Sequence, residues 1–357
     1  VGAGLQLSAN AMHVLGALGV KDQIAAAAFE PQNAVTRHYK TGRAELTLPL
    51  KGVHEARYGQ PYFHIHRADL HSILKRAAEE AGAIFHLGAA VESVEQDNGC
   101  VSITAGGKVY HGDVLIGADG IHSAVRSALF GEKLARFTGQ VAWRGTVETT
   151  RFPGGLIPPD ANAWLGPGRH FVSYYVRGGD LINFVAIEER ETWAEESWNL
   201  EGDIGDVRAA FSGWDPRIDK LLSICSRCYL WGLFDRLSMP HWAAGRAALL
   251  GDACHPMLPF MAQGAAMAIE DAYVLAQCLD RAGASIPEKL AVYEAARIPR
   301  TARLQAISRE NAGMFHLKSP AARALRKAKF SAASRVSALA HLKFDRIYGH
   351  NVTAEKV

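Results

Sequence analysis

The sequence predicts an α/β protein in which one domain is interrupted by a second, mostly antiparallel β domain and followed by a helical segment. Three observations support this. Helix-spaced and strand-like runs mix in the first 139 residues, residues 140–237 are rich in strands and aromatic side chains, and a strand-to-helix pattern then returns. We place the boundaries at 1–139, 140–237 and 238–285, with a C-terminal helical region over 286–357.

The composition is that of an ordinary globular protein. The chain has 357 residues, of which 48% are hydrophobic and 21% charged, so it can bury a large core. Its net charge of +3 gives no reason to expect a nucleic-acid partner. No apolar run approaches the roughly 18 residues that cross a bilayer. We expect a cytoplasmic protein with no stable membrane association, and we allow for a homodimer.

The five cysteines do not form a disulfide pattern. Cys225 and Cys228 have C-x-x-C spacing, but a zinc site needs a second pair and a redox motif needs a strand-to-helix turn. Neither feature accompanies them. We therefore predict two unreactive thiols and no metal site.

The first domain begins with two segments of helical spacing and then changes to strands. The segments are "ANAMHVLGALGV" and "ADLHSILKRAAEEAG", the second with Asp69 as a candidate N-cap and Gly82 as a stop. Short alternating runs over 89–112 predict a small antiparallel piece that leads into a buried strand, "VLIGADG". Further on, a helix is expected around Asp203 to Phe211.

A carboxylate follows the buried strand "VLIGADG". Asp119 stands where α/β sheets bind ligands, since backbone groups face an open crevice at the carboxyl end of such a strand. It could accept hydrogen bonds from sugar-like hydroxyl groups. A strand-to-helix turn capped by this Asp explains the pattern equally well.

The same pattern recurs in "ALLGDACHPMLPFMAQGAAMAIED". Asp252 follows a second buried strand, and about a dozen residues separate it from a helix whose first turn contains Gly264 and Ala265. Small residues there let a ligand approach the unpaired N–H groups of the helix, whose dipole favours negative charge. A reduced flavin ring carries such a charge.

A third motif is "YFHIHRADL", in which Arg67 lies where an extended stretch becomes a helix. Its fork-shaped cation could hold a phosphate or a ribose. By itself the motif is weak, because an Arg at a helix start more often lies on the surface.

Together these three motifs resemble those of the single-component, FAD-dependent aromatic hydroxylases. The resemblance covers essentially the whole chain, and the stretch from Asp252 to Asp271 is its most specific part. It implies a Rossmann-like FAD-binding domain with an inserted β-sheet substrate domain. The family's G-x-G-x-x-G turn and its acidic ribose ligand lie upstream of "VGAG", so we expect the first part of that domain to be missing from this sequence.

The resemblance also implies the reaction, a step in the breakdown of aromatic compounds. NADH or NADPH reduces FAD, and O2 adds to the flavin C4a to give a hydroperoxide. One oxygen atom is then transferred to a small phenolic or hydroxypyridine carboxylate. The apolar loop around Phe260 would keep water away.

Candidate substrate residues come from "RHFVSYYVRGG" and from the family pattern. His170 and Tyr174 fall on one strand face about 13 Å apart at roughly 3.3 Å per residue, and Tyr175 faces the other way. Relatives use a His and a Tyr at this spacing, which makes His170 the candidate base and Tyr174 an orienting hydroxyl. Gln6, Pro259 and Phe260 match family pocket positions. The alternative is a structural His and Tyr on a half-buried sheet.

Two other functions remain open. A flavoprotein of this fold could epoxidise or reduce a larger apolar substrate, which would need a wide uncharged pocket. A truncated, non-catalytic protein could keep the fold without FAD.

Overall fold

The structure is a computed structural model that describes residues 4–97, 99–132, 135–151, 154–193, 200–335 and 344–356. The chain divides into two compact units. The first contains Val1–Ala77, Phe137–Leu233 and Asn311–His350, and the second contains Ala78–Arg136, Phe234–Glu310 and Asn351–Val357.

The described chain contains runs of strands separated by helices. The strands are β1 (Gly4–Leu7), β2 (Asn33–His38), β3 (Ala44–Pro49), β4 (Phe63–His66), β5 (Val91–Gln96), β6 (Val101–Ala105), β7 (Lys108–Gly112), β8 (Leu115–Gly117), β9 (Arg136–Glu148), β10 (Ala161–Gly166), β11 (Arg169–Val176), β12 (Leu181–Glu189), β13 (Glu201–Gly202), β14 (Cys228–Asp235), β15 (Ala243–Ala244) and β16 (Ala247–Leu249). The helices are α1 (Ala9–Ala17), α2 (Lys21–Ala27), α3 (Val53–Tyr58), α4 (Arg67–Glu80), α5 (Ala124–Phe130), α6 (Ile204–Ala210), α7 (Pro216–Ile224), α8 (Gly264–Leu279), α9 (Ile286–Phe315) and α10 (Pro320–Arg335), and 344–348 is also helical.

The first unit is built on an eight-stranded sheet of order β13-β14-β9-β12-β11-β10-β2-β3. Strand β9 pairs with β12, β12 with β11, and β11 with β10, and all three pairs are antiparallel. Strands β10 and β2 run parallel. A separate two-stranded sheet pairs β1 with β4 and sets Gln6 opposite His64. Because β11 alternates its side chains, His170 and Tyr174 lie on one face and Phe171 and Tyr175 on the other.

The opposite face of this sheet holds the main hydrophobic core. Helices α6 and α7 supply Val207, Phe211, Ile218 and Leu221 to it, and Trp143, Phe171 and Phe184 come from the sheet. Tyr175 packs against the edge of this core. The predictions that residues 140–237 are rich in strands and that a helix lies around Asp203 to Phe211 are therefore confirmed.

The second unit contains two three-stranded sheets. One is the predicted antiparallel piece, β5-β6-β7, and the other has the order β15-β16-β8. Strands β8 and β16 are parallel and in register, with Leu249 opposite Gly117. A Cβ on Gly117 would lie 2.7 Å from Cβ of Val125 in α5, so only glycine permits this close packing of helix on strand.

One prediction about a helix end is wrong. Asp69 does not cap α4, because the helix already begins at Arg67 and Asp69 lies inside its first turn. Its carboxylate instead accepts two hydrogen bonds of 2.9 Å from Arg177. Gly82 does lie just beyond the helix with a φ of 91°, as a stop residue should.

Within the described residues, no helix is both long and apolar enough to span a bilayer.

Candidate functional site

Two carboxylates lie at one sheet edge of the second unit. Because β8 and β16 run parallel, Asp119 and Asp252 follow strands that end on the same side. Both side chains are exposed. Asp119 also accepts a hydrogen bond of 3.1 Å from the Val125 N–H, while Ser123 is the N-cap of α5. The ligand and capping interpretations of Asp119 are therefore compatible.

Arg126 ties together the two loops that carry these carboxylates. Its guanidinium donates to the carbonyl oxygens of Ile121, at 2.7 Å, and Ala253, at 2.9 Å. Burial and the nearby Arg236 cation lower the pKa of Arg126. Gly251, just before Asp252, has a φ of 64°, a backbone conformation that favours glycine. The turn after β16 is thus fixed by backbone geometry and by one buried cation.

The loop between Asp252 and α8 is held from α9. Gln305 donates to the Pro256 carbonyl at 2.8 Å, and Ser308 donates to the Leu258 carbonyl at 2.6 Å. Phe260 is buried, whereas Pro259 is exposed. Ala262 has a φ of 52°, which is uncommon for a residue with a side chain and is found often at functional loops.

Helix α8 begins at Gly264, as the sequence predicts, and its first turn is open. The N-cap Gln263 makes no side-chain capping bond, and the first turn contains no acidic residue. A Cβ on Gly264 would meet only Cγ of Met257 at an ordinary 3.6 Å. Packing within the protein therefore does not require glycine there, and the lack of a side chain leaves space beside the N–H groups of the first turn. An open first turn without an acidic residue is chemically suited to the anionic edge of a ligand.

A buried charge network anchors this loop and α8. Asp271 accepts hydrogen bonds from His255 and, at 2.7 Å, from Arg297, which also pairs with Glu270. Arg300 completes the network through two bonds of 2.7 Å to Glu270. Burial would raise the pKa of Asp271, but His255 and Arg297 hold it below its ordinary value. His255 therefore has a structural partner in the helix.

In the first unit, Tyr174 lies among buried polar groups. Its ring contacts the His64 ring, with 4.5 Å between centroids. Neither nitrogen of His64 makes a hydrogen bond of normal geometry with a described residue. Burial lowers the pKa of His64 to about 3 despite the nearby Tyr175 backbone, and burial also raises the pKa of Tyr174. Both groups are therefore neutral.

Gln6 belongs to the same cluster. Tyr62 donates a hydrogen bond of 2.6 Å to Oε1 of Gln6, and the Tyr62 and His64 ring centroids lie 5.8 Å apart. The structure thus brings the predicted residues Gln6 and Tyr174 together through two residues that sequence reasoning missed. The signal for them was the alternating "YFHIH" before Arg67, but the pairing of β1 with β4 could not be read from it.

His170 lies in a different environment on the same strand face. Its Nδ1 is 2.7 Å from Nε2 of His316, and its ring centroid is 5.2 Å from that of Phe315. Burial first, and His316 second, lower the pKa of His170 well below its ordinary value. His170 is therefore a neutral imidazole whose protonation is tied to a second one.

Arg67 is the exposed first residue of α4. A second guanidinium, that of Arg144, lies near it and stacks 4.2 Å from the Trp231 ring centroid. Burial and then the charge of Arg67 lower the pKa of Arg144 to about 10. Two like charges that destabilise each other favour a bound anion, such as a phosphate or carboxylate.

The two C-x-x-C cysteines are free thiols. Cys225 lies 3.2 Å from the Arg227 carbonyl and Cys228 lies 3.2 Å from the Gly202 carbonyl. Burial raises the pKa of Cys228 to about 12, as expected for an unreactive thiol. Among the described residues, no group of three or more His, Cys, Asp or Glu side chains has a metal-binding arrangement.

A family model described as an FAD binding domain matches residues 3–152 and 226–308. The chain is also 36% identical over 316 residues to 6-hydroxynicotinate 3-monooxygenase of Pseudomonas fluorescens, covering 87% of this chain and 81% of that protein. It is 35% identical over 320 residues to 3-hydroxybenzoate 6-hydroxylase of Polaromonas naphthalenivorans (strain CJ2), covering 88% and 79%.

A solved structure of salicylate hydroxylase in a substrate complex superimposes on this chain with a TM-score of 0.83 and 26% identity. The match covers 99% of this chain and 89% of that one.

Proposed function

This chain belongs to the family of FAD-dependent aromatic hydroxylases, and on that premise we propose that it uses NADH or NADPH and O2 to hydroxylate a small phenolic or hydroxypyridine carboxylate. The relatives named above support both substrate types, since one is named for a hydroxynicotinate and another for a hydroxybenzoate. The buried polar cluster of the first unit favours such a ring over a large apolar substrate.

FAD, when bound, supplies the activated oxygen. In the second unit, the exposed carboxylates of Asp119 and Asp252 would accept hydrogen bonds from its hydroxyl groups. The open first turn of α8, with Gly264 and Ala265, would stabilise its anionic ring edge. In the first unit, Arg67 is proposed to hold a phosphate or a ribose.

The observation that carries the substrate proposal is the cluster of Gln6, Tyr62, His64 and Tyr174. Burying the His64 imidazole without a hydrogen bond of normal geometry to a described residue is costly, so such a group is usually kept for a ligand. A hydroxylated ring of similar size would offer matching donors and acceptors. Tyr174 is proposed to orient the substrate hydroxyl group.

His170 is proposed as the base. Removing the phenolic proton makes the ring carbons beside and opposite the oxygen more nucleophilic, which the transfer of an electrophilic oxygen requires. A neutral imidazole can accept that proton, but the burial that keeps His170 neutral also lowers its pKa and weakens it as a base, so the His316 ring, 2.7 Å from its Nδ1, would have to share the added charge.

The loop before α8 is proposed to contribute Pro259 and Phe260 to substrate binding. Its neighbours Met257, Leu258 and Met261 are apolar, and Leu258 and Phe260 are buried. Apolar side chains there would exclude water from the reaction. Gln6 is proposed as a polar contact to the substrate from β1.

Residues 140–237 are proposed as a substrate domain inserted into the FAD-binding domain. The family model supports this, because its match stops at residue 152 and resumes at residue 226. The eight-stranded sheet carries both His170 and Tyr174.

The test is oxygenation by the purified protein reconstituted with FAD. NADH and NADPH oxidation is measured with 3-hydroxybenzoate, 6-hydroxynicotinate and salicylate, and the products are identified by mass spectrometry. We expect at least one of these acids to speed oxidation and to gain one oxygen atom. Benzoate and nicotinate, which lack the ring hydroxyl group, are the matched controls. If no hydroxylated acid yields an oxygenated product, the proposed function is wrong.

A further inference from the structure

The C-terminal helical turn, residues 344–348, is fastened to α3 of the first unit. The Asp345 carboxylate accepts two hydrogen bonds of 2.7 Å from the Arg57 guanidinium and one of 2.8 Å from the Tyr58 hydroxyl group. Ile347 of the same turn is 2% exposed. A two-pronged ion pair and a buried aliphatic side chain therefore fix the position of this turn on the first unit.

Tyr348, at the end of the turn, packs into a cluster of aromatic rings. Its ring centroid lies 5.3 Å from that of His54 and 6.1 Å from that of Tyr62. His54 and Tyr62 also meet edge to face, with 5.1 Å between their centroids and 83° between their planes. Aromatic rings attract each other at these separations. The buried Tyr62 ring is thus held from two sides, by His54 and by Tyr348.

Tyr62 connects this cluster to Gln6. Its hydroxyl group donates a hydrogen bond of 2.6 Å to Oε1 of Gln6, which lies opposite His64 in the pairing of β1 with β4. A tyrosine side chain has only two rotatable bonds, so the place of its ring decides the place of its hydroxyl group. A shift of the Tyr62 ring is therefore passed on to the Gln6 amide.

The Gln6 amide depends on such a partner for a fixed direction. A glutamine side chain has several rotatable bonds and loses much conformational entropy when it is ordered. Gln6 is only half-buried, so packing alone leaves it freedom. With Oε1 bound to Tyr62, the amide offers its Nε2–H donors to a further partner, which suits an acceptor such as a carboxylate oxygen.

From these contacts we infer that the C-terminal helical turn is a positioning element for substrate recognition, in which Tyr348 holds Tyr62 and Tyr62 holds Gln6. The inference rests on the proposed function, which assigns Gln6 as a contact to the substrate. Tyr348 touches no substrate in this scheme and acts through Tyr62. A turn near the end of the described chain then sets the affinity of a site built on β1, β4 and β11.

Steady-state kinetics of the FAD-reconstituted protein test this link, with a hydroxylated acid identified in the oxygenation assay. Tyr348→Ala should raise KM by about tenfold or more, because a small displacement of a binding group is costly, and it should change kcat less. Tyr348→Phe keeps the ring and should keep the wild-type KM. Tyr62→Phe keeps its ring but loses the hydrogen bond to Gln6, so its KM should rise to a similar extent.

The double variant Tyr348→Ala/Tyr62→Phe separates positioning from general loosening of the fold. Both single changes break the same link, so the KM of the double variant should stay near the larger of the two single effects. A KM that rises by the product of the single effects would mean that the two residues act independently, and it would overturn the inference.

Tyr39→Ala is the matched control. Tyr39 is also half-buried, and its ring packs on that of Trp214 with 5.2 Å between centroids. The variant loses similar aromatic packing at a place that the inference leaves out of the link, so it should lose stability and keep its KM. An equal rise of KM in Tyr39→Ala and Tyr348→Ala would show that loss of packing alone explains the effect, and the inference would be wrong.

The side-chain NMR signal of Gln6 provides a readout that needs no turnover. In protein labelled with 15N-glutamine, this signal is identified by its loss in Gln6→Glu. It should shift in Tyr348→Ala and in Tyr62→Phe and stay in place in Tyr39→Ala. If Tyr348→Ala does not fold, Asp345→Ala takes its place, because it removes the partly exposed ion pair with Arg57 that fastens the turn.

Two further results would overturn the inference. One is a KM within twofold of wild type in the folded variant that loosens the turn, and the other is a Gln6 signal that does not move in that variant. If wild type oxygenates no acid, the proposed function fails, and the Gln6 signal still decides whether the turn positions that residue.

Discussion

The imidazole ring of His64 packs on the phenol ring of Tyr174, with 4.5 Å between the centroids and 44° between the ring planes. The two residues come from β4 and β11, which belong to different sheets of the first unit. Gln6 and Tyr62 adjoin the pair. This contact joins the residue predicted to orient the substrate to a histidine that makes no hydrogen bond of normal geometry with any residue that the structure describes.

Removing the Tyr174 hydroxyl group should impair catalysis and leave the fold intact. Tyr174→Phe keeps the ring that packs on His64, so its thermal midpoint should stay near that of wild type. Loss of an orienting hydrogen bond should lower kcat/KM by about tenfold or more. Steady-state kinetics with the best aromatic acid and a thermal melt measure the two effects.

Tyr175→Phe is the matched control. The Tyr175 hydroxyl group faces the core side and donates to the Ile157 carbonyl at 2.8 Å. This variant should lose about 1 kcal/mol of stability and keep its activity. Equal activity losses in the two variants would show that Tyr174 has no special role.

Gly4 must remain a glycine because of Tyr174. A Cβ there would overlap Cε2 of the Tyr174 ring, and the Gly4 N–H donates to Asn183 at 2.9 Å. Gly4→Ala should therefore cost about 1–3 kcal/mol by overpacking and displace the ring, so kcat/KM falls as well. Gly313→Ala in α9, where a Cβ meets nothing within 4 Å, should be neutral or stabilising. Urea unfolding and kinetics compare them.

Buried neutral histidines should make the fold sensitive to acid. Burial holds the pKa of His64 at about 3, while an unfolded histidine titrates near its ordinary value of 6.5. Below that value the unfolded chain binds a proton that the folded chain does not, so stability falls as pH drops. The slope from this one group reaches about 1.4 kcal/mol per pH unit.

Urea unfolding at pH 7, 6, 5 and 4 tests this effect. In His64→Gln the free energy of unfolding should fall less steeply as pH drops, by up to the slope that one bound proton contributes, whatever the variant's stability at pH 7. The exposed His71→Gln should follow the wild-type slope. An unchanged slope in His64→Gln would mean that this ring is protonated in the folded protein.

The network under the loop before α8 should be a large contributor to the stability of the second unit. Asp271→Asn leaves the buried Arg297 without its full charge partner and should destabilise by about 3 kcal/mol or more. Because His255 and Arg297 depress the pKa of Asp271, its contribution is complete above pH 4 and is lost as pH falls further. Glu201→Gln breaks an exposed pair with Arg227 and should cost less than about 1 kcal/mol. Chemical unfolding compares the two.

Local pattern was enough to predict the ends of two buried strands and the start of α8. The buried runs before Asp119 and Asp252 formed parallel neighbours, and α8 began at Gly264, because hydrophobicity, glycine and helix spacing agree there. The alternation in β11 also separated Tyr174 from Tyr175 correctly. The prediction for Asp69 was wrong because an acidic residue near a helix start is favourable both as a cap and inside the first turn. Asp69 lies inside the first turn and binds Arg177, which is distant in the sequence.

Contacts between distant segments could not be predicted in the same way. The partner of His170 lies 146 residues away at His316, and the partner of Gln6 lies 56 residues away at Tyr62. Such pairs depend on strand order and on where α9 ends. No local pattern in the sequence records either property.

The most direct measurement is the product formed from a hydroxylated aromatic acid by the FAD-reconstituted protein with NADH or NADPH in air. We predict that oxidation of the reduced nicotinamide speeds up in the presence of a hydroxybenzoate or hydroxypyridine carboxylate. The recovered acid should carry one added ring hydroxyl group with its oxygen derived from 18O2. Protein that binds FAD and folds normally, yet returns every such acid unchanged, would contradict this prediction.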